Sequence, residues 1–453
     1  MFLSRTINKE KISIMKNNVK YIVKRASKPI KGKLIVPGDK SISHRAVMFG
    51  SLSNGITNIN GFLEGYDSLA TLQAFREMGV SIYGPTNKKL CIEGVGIYGL
   101  KDPKTKLYLG NSGTSMRLLT GLLSGQKFDT QMTGDKSLNT RPMNRVAIPL
   151  RLMGAKIKTD KTGIPPIQLI GNRLNGITYI MPIASAQVKS CLLLAGIYAK
   201  GETKIIEKGC TRDHTERMLK TFGYKIKKKD NTISLIGGSN LQASNINIPS
   251  DISSAAFFLV AASIIPNSEL VLEKVGINPT RIGVINILRN MGADINLFNE
   301  SNWCNEPVAD IHIRYASLKG IDIPIDQVPL AIDELPILLV AAANAEGITR
   351  LRGASELRVK ESDRISSMAK GFTTIGVNNK VYEDGIDIIG TKKYKGGYIN
   401  SYGDHRIAMS FTIAALRAKD DIIIDDCINV STSFPNFKNL LNNIGIKIKE
   451  VKY

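Results

Sequence analysis

The chain has 453 residues, 43% hydrophobic and 22% charged, with a formal net charge of +22, a length that suits about two to four domains. No stretch approaches the roughly 18 consecutive apolar residues of a membrane-spanning helix, so no membrane partner is expected, and residues 1–20 lack the apolar centre of a secretory signal. Cys91, Cys191, Cys210, Cys304 and Cys427 are scattered, with no Cys-x-x-Cys pair, and His44, His214, His312 and His405 share no metal-ligand spacing. That excludes a disulfide framework, gives no sign of a metal site and fits a reducing, cytoplasmic setting.

From the N-terminus, residues 42–52 (ISHRAVMFGSL) are apolar around most of their circumference and predict a buried helix. Residues 55–63 predict a strand, and 67–78 a second helix with Leu69, Leu72, Phe75 and Met78 at helical spacing. Asp67 or Ser68 is expected to cap it, and Gly79 to close it. Further buried helices are predicted at 114–123, 187–199, 252–264, 333–345 and 405–417, each opening on polar residues. Between them, strand-then-helix units end at Met153-Gly154, Phe222-Gly223, Met291-Gly292, Ile375-Gly376 and Ile444-Gly445. A period of about 70 residues is too long for a solenoid repeat and fits a small βαβ-type unit. Six such units, three per lobe, predict an α/β protein of two similar lobes.

The charge first suggests nucleic acid, but only 6% of residues are aromatic, no reading motif is present and the cations are spread along the chain. The densest cluster, Lys225 with Lys227, Lys228 and Lys229, reads as a solvated strand edge. What remains is a cleft for small, multiply anionic substrates. Arg45, Arg141, Arg145, Arg212, Arg281, Arg364 and Arg406 fall at or near predicted helix starts. Free N–H groups already make a helix start positive, so a guanidinium there is unfavourable unless an anion joins it. Residues 109–114 form a glycine-punctuated turn suited to close approach by an anion, without the Gly-Lys-Ser/Thr ending of a Walker loop. Glu361 sits among cations in 358–364, which can alter its proton affinity, although an ordinary helix-start acid would look the same.

The co-linear segments GDKSISHR (38–45), LGNSGTSMRL (109–118), SAQVKS (185–190), TRDHTER (211–217), RVKESDR (358–364) and GDHR (403–406) strongly resemble the 5-enolpyruvylshikimate-3-phosphate synthase family. The resemblance runs from about residue 22 to the end of the chain. It implies the inside-out α/β barrel of the enolpyruvyl transferases, in which each lobe holds three βαβαββ units. The implied division is an extension at 1–21, one discontinuous lobe of 22–38 plus 250–453, and a second lobe of 39–249, with the site between them. The implied reaction moves the enolpyruvyl group of phosphoenolpyruvate to the 5-hydroxyl of shikimate 3-phosphate through a tetrahedral intermediate, releasing phosphate. It implies no metal or organic cofactor, no nucleic-acid partner and a monomer. SAQVK, RPMNR (141–145) and NPTR (278–281) are similar to the class that includes glyphosate-tolerant members. The related enolpyruvyl transferase acting on UDP-N-acetylglucosamine is disfavoured: it has Lys-Asn in place of Lys40-Ser41, and a reactive cysteine that this chain lacks between Asn111 and Arg145.

Residue by residue, the resemblance gives Lys40, Ser41, Arg45, Ser185, Ala186, Gln187 and Arg212 to shikimate 3-phosphate, with Arg212 on its phosphate. Lys40, Gly113, Arg141 and Gln187 match the phosphate side of phosphoenolpyruvate, and Arg364 and Arg406 its carboxylate clamp. Asp333 and Lys360 would hold the shikimate hydroxyls, with Asp333 as base for the 5-hydroxyl, and Glu361 would protonate the methylene carbon. Lys40, Asp333 and Glu361 are thus the catalytic candidates. Two positions depart from some members: Thr432 stands where they carry a phosphate-contacting Lys, and Glu356 where they carry Asn. Cations from the two lobes should repel across an empty cleft and be drawn together by anionic substrates.

Overall fold

The computed structural model describes residues 18–391 and 394–453. Residues 1–17 of the expected extension lie outside the described residues. The first strand, Val19–Val23, begins inside the segment set apart as 1–21 because Val19, Tyr21 and Val23 alternate inward. It is paired on both sides, with Ile422–Asp425 and Ile448–Lys452.

Buried helices span Lys40–Leu52, Gly113–Ser124, Ala186–Gly196, Ile252–Ile264, Leu335–Ala343 and His405–Ala415. They lie close to the predicted spans, and the first three pack together, as do the last three. The clearest difference is at 333–345. Asp333 and Glu334 stay in a turn after the 3-10 segments Ile325–Gln327 and Pro329–Ala331, and the helix starts only at Leu335. One hydrophobic cluster draws on residues between 42 and 248; a second draws on 19–36 and 252–448.

The outer helices end alike. Gly79, Gly154, Gly223, Gly292, Gly376 and Gly445 all hold φ between +76° and +94°, which a side chain would oppose. The residue after each glycine donates its N–H to a carbonyl five residues back, from Val80 to Phe75 in the first repeat through Ile446 to Leu441 in the last. The predicted repeat is therefore one helix-ending device used six times. The capping expectation fails for Tyr66–Glu77. Its N-cap is Gly65, with no side-chain cap, because a Cβ there would stand 2.5 Å from the Thr432 carbonyl. Asp67 instead pairs with Lys40 at 3.2 Å.

Among the described residues there are six sheets. In the 178–236 sheet, Thr178–Ile180 runs parallel to Glu202–Ile206, Thr232–Ile236 follows antiparallel, and Ile226–Lys229 forms the edge that exposes Lys227, Lys228 and Lys229. Distant strands complete two other sheets: Lys31–Leu34 lies beside Glu269–Gly276, and Leu241–Gln242 and Ile246–Asn247 lie beside Ser53–Asn60. Where the chain passes between the two clusters, Gly38 bridges Ser250. The residues that follow, Asp39 and Asp251, cap Lys40–Leu52 and Ile252–Ile264.

Candidate active site

Helix starts from both clusters open onto one cleft of about 360 Å³. Lys40, Ser41, Arg45, Gly113, Arg141, Ser185, Ala186, Gln187 and Arg212 line one side; Asp333, Lys360, Glu361, Arg364 and Arg406 line the other. Every candidate named from the sequence thus faces the same space. The local reason is capping: Asp39, Ser112, Ser185, Asp251 and Asp404 each accept a backbone N–H and fix a helix mouth toward the cleft.

The arginines divide by partner. Arg281 is buried, 3.0 Å from Asp39 and 3.2 Å from Asp251, and it donates to Ser253 at 2.7 Å. It stitches the two crossing strands of chain together, so it is not one of the anion-seeking arginines that its place near a helix start suggested. Arg364 is buried against Asp404 at 2.8 Å and also meets Glu361 at 2.6 Å. Arg212 reaches across the cleft to Asp333 at 2.6 Å, and Arg145 to Glu356 at 2.8 Å. By contrast, the hydrogen-bond partners of Arg45 among the described residues are neutral: Thr215 Oγ1 at 2.7 Å, the Ser41 carbonyl at 2.9 Å and Ser190 Oγ at 2.8 Å. Burial lowers its pKa to about 10, against the opposing pull of Glu216 and Asp39.

Arg117 received no role from the sequence, although it lies within LGNSGTSMRL. Its side chain lines the cleft beside Gly113, donating to Gln187 Oε1 at 2.6 Å. Burial, then the neighbouring Arg145 and Arg141, lowers its pKa to about 10. Lys40 Nζ contacts Asp67 at 3.2 Å and Ser433 Oγ at 2.8 Å. Thr432 turns its hydroxyl to the Asn429 carbonyl, and its neighbour Ser433 accepts from Lys40.

Carboxylates stand between the cations, contrary to the simple repulsion expected from counting arginines. Asp333 meets Arg212 from one side, and Lys360 and Arg364, both at 3.5 Å, from the other. Burial raises its pKa, but Lys360, Arg212, Arg406 and Arg364 outweigh that and hold it well below the usual carboxylate range. Glu361 behaves likewise: burial opposes, while Arg364, then Arg141 and Lys40, hold its carboxyl well below normal. Glu361 is therefore a carboxylate here, not an acid. His405 beside it is pushed down to about 3 by burial and Lys40, so it is neutral.

Two halves contribute cations and carboxylates to one shared cleft, the two-lobed transferase arrangement that the sequence resemblance implied. The family model for EPSP synthase (3-phosphoshikimate 1-carboxyvinyltransferase) matches residues 24–441. The chain is 58% identical over 421 residues to the 3-phosphoshikimate 1-carboxyvinyltransferase of Methylococcus capsulatus, covering 93% of this chain and 96% of the relative. It is 55% identical over 428 residues to that of Legionella pneumophila (strain Lens), covering 94% and 98%. It superposes on the solved EPSP synthase from Acinetobacter baumannii with a TM-score of 0.87 and 56% identity, covering 96% of this chain and all of the other. The chain belongs to the EPSP synthase family.

Proposed function

We propose that this protein transfers the enolpyruvyl group of phosphoenolpyruvate to the 5-hydroxyl of shikimate 3-phosphate, releasing phosphate. The observation that carries this is the match of almost the whole chain to the family, together with a cleft that all the family-matched residues line. The lobes divide as 39–249 and as 22–38 with 250–453, the latter extended back to Val19 by its first strand, and the two separate hydrophobic clusters support this division.

The phosphate of shikimate 3-phosphate, of about −1.5 to −2 charge, takes Arg212 away from Asp333. Ser41, Arg45, Ser185, Ala186 and Gln187 complete its site. Asp333, freed and still ionised, accepts the 5-hydroxyl proton while Lys360 holds a neighbouring hydroxyl. Lys40, Arg141, Gln187 and the N–H at Gly113 receive the phosphate of phosphoenolpyruvate, and Arg364 and Arg406 its carboxylate. Those anions neutralise the arginines that depress Glu361, so its pKa climbs and it can carry a proton to the methylene carbon. Attack by the 5-oxygen gives the tetrahedral intermediate. Loss of phosphate then returns the carbon proton to Glu361, and the proton taken by Asp333 ends on the departing phosphate. Phosphate release that needs both substrates is the test; release from phosphoenolpyruvate alone, or none, would overturn the assignment.

A further inference from the structure

Lys189, in helix Ala186–Gly196, is completely buried and ion-paired with Glu216 at 2.6 Å and Glu207 at 3.1 Å. Its Nζ lies 3.4 Å from the Thr211 carbonyl, and the Thr211 hydroxyl donates to Glu207. Neither Lys189 nor either glutamate lines the cleft. A buried ionic cluster of this kind is a poor source of stability, because apolar side chains of similar volume commonly do as well or better.

The three partners sit on the three pieces of chain that frame one side of the site. Lys189 lies one turn into the helix whose mouth presents Ser185, Ala186 and Gln187. Glu207 directly follows strand Glu202–Ile206. Glu216 is in the first turn of His214–Thr221, just after Arg212. The same helices meet again at Ser190 and Thr215, whose hydroxyls are bonded to each other and hold Arg45.

We propose that Lys189 is a positioning residue that sets the distance from Ser185, Ala186 and Gln187 to Arg212, and so the span of the shikimate 3-phosphate site. This rests on the activity proposed above. Lys189 touches neither substrate; it acts through Glu207, Glu216 and Thr211.

Two variants test it. Thr211→Val removes the hydroxyl donor to Glu207 while keeping the side-chain shape. The KM for shikimate 3-phosphate should rise about 3- to 10-fold, part of the worth of a hydrogen bond to a charged group. The KM for phosphoenolpyruvate, which shares only Gln187 with the displaced segment, should rise less than that for shikimate 3-phosphate, and kcat should change by less than about twofold. Lys189→Met leaves two buried carboxylates without their cation. It should lower Tm and raise the KM for shikimate 3-phosphate by about 30-fold or more, well beyond any change for phosphoenolpyruvate. If Lys189→Met does not fold, Thr211→Val decides alone. A purely structural role would lower Tm and the active fraction while leaving both KM values in place; that result, or equal rises in both, overturns the proposal. Wild-type protein that releases no phosphate from the two substrates overturns the activity reading and this inference with it. Wild-type activity with unshifted variants overturns the inference alone.

Discussion

Glu361→Gln is the sharpest test of the proton-transfer reading. In the cleft the carboxylate lies 2.6 Å from Arg364 and 3.9 Å from Arg141. Those two guanidinium groups are the main cations that hold its carboxyl well below normal, so neutralising both with the anions of phosphoenolpyruvate should raise its pKa. A carboxyl so released can donate and recover a proton. Gln keeps the size and one acceptor but has no exchangeable acid proton. Loss of a positioned general acid lowers kcat by about 10²- to 10⁴-fold. Removing the negative charge also frees Arg364 and Arg141, so the KM for phosphoenolpyruvate should hold or fall. Steady-state phosphate release across pH, with calorimetric binding of shikimate 3-phosphate, reads both parts. The limb assigned to Glu361 should lie at higher pH in the kcat profile than in kcat/KM, and should vanish in the variant. A kcat within about tenfold of wild type, or a KM effect with kcat intact, would remove Glu361 from proton transfer.

Other outcomes follow from the same geometry. A Cβ at Gly113 would stand 3.1 Å from Arg141 Nη1 and 3.2 Å from Arg117 Nη1; Gly113→Ala should therefore raise the KM for phosphoenolpyruvate about tenfold by displacing those guanidinium groups, and an unchanged KM would show that they yield freely. Arg145 and Glu356 join the two halves at 2.8 Å; Glu356→Gln should cost less than about 1 kcal/mol of stability, yet enlarge the scattering radius of the substrate-free protein, and an identical radius counts against a latch. Asp39, Asp333, Glu361 and Asp404 have lowered pKa values and His44 and His405 are held neutral by burial. The depressed carboxyls stabilise the fold above their unfolded pKa of about 4, and this is lost as pH falls through their lower folded values. Each buried histidine penalises the fold below about pH 6.5. The unfolded chain binds more protons on both counts, so the unfolding free energy from urea titrations should fall from pH 7 to pH 4, by up to about 1.4 kcal/mol per pH unit for each titrating group; a flat profile would contradict the burial assigned to these groups.

The fold was legible where its signal is local. Helices that are apolar all round betray themselves by composition, and each outer helix announces its end with a glycine that takes positive φ. The helix mouths were legible too, because Asp, Ser and Gly there answer to a backbone need. Charge partners were not. Asp67 looked like a cap, yet its partner is 27 residues away. Arg212 finds Asp333 across 121 residues and Arg145 finds Glu356 across 211. No periodicity carries such a pairing. Arg117 was hidden differently: it projects from a buried helix, where a cation reads as an anomaly of composition until the adjoining glycine shows what it lies against.

The carboxylates, more than the arginines, decide which cations remain for substrate. Arg281 and Arg117 are both buried helix-associated arginines lining one cleft, but they should respond oppositely to loss of charge. Arg281 has Asp39 and Asp251 within salt-bridge distance, and Glu334 at 3.7 Å. Arg281→Met would strand those buried carboxylates, and breaking a buried pair in this way costs about 3–5 kcal/mol. Among the described residues Arg117 has no carboxylate within salt-bridge distance; it donates to Gln187 and, at 3.4 Å, to the Pro142 carbonyl. Its charge is held out of water with little compensation, which is why its pKa falls to about 10, with burial the main cause. Arg117→Met should leave Tm equal or raised, while the KM for phosphoenolpyruvate climbs about 30-fold, the equivalent of about 2 kcal/mol. Thermal melts and kinetics on the two variants separate the cases. If Arg117→Met unfolds the protein as readily as Arg281→Met, its charge is already satisfied within the fold and no anion need be invoked to explain it.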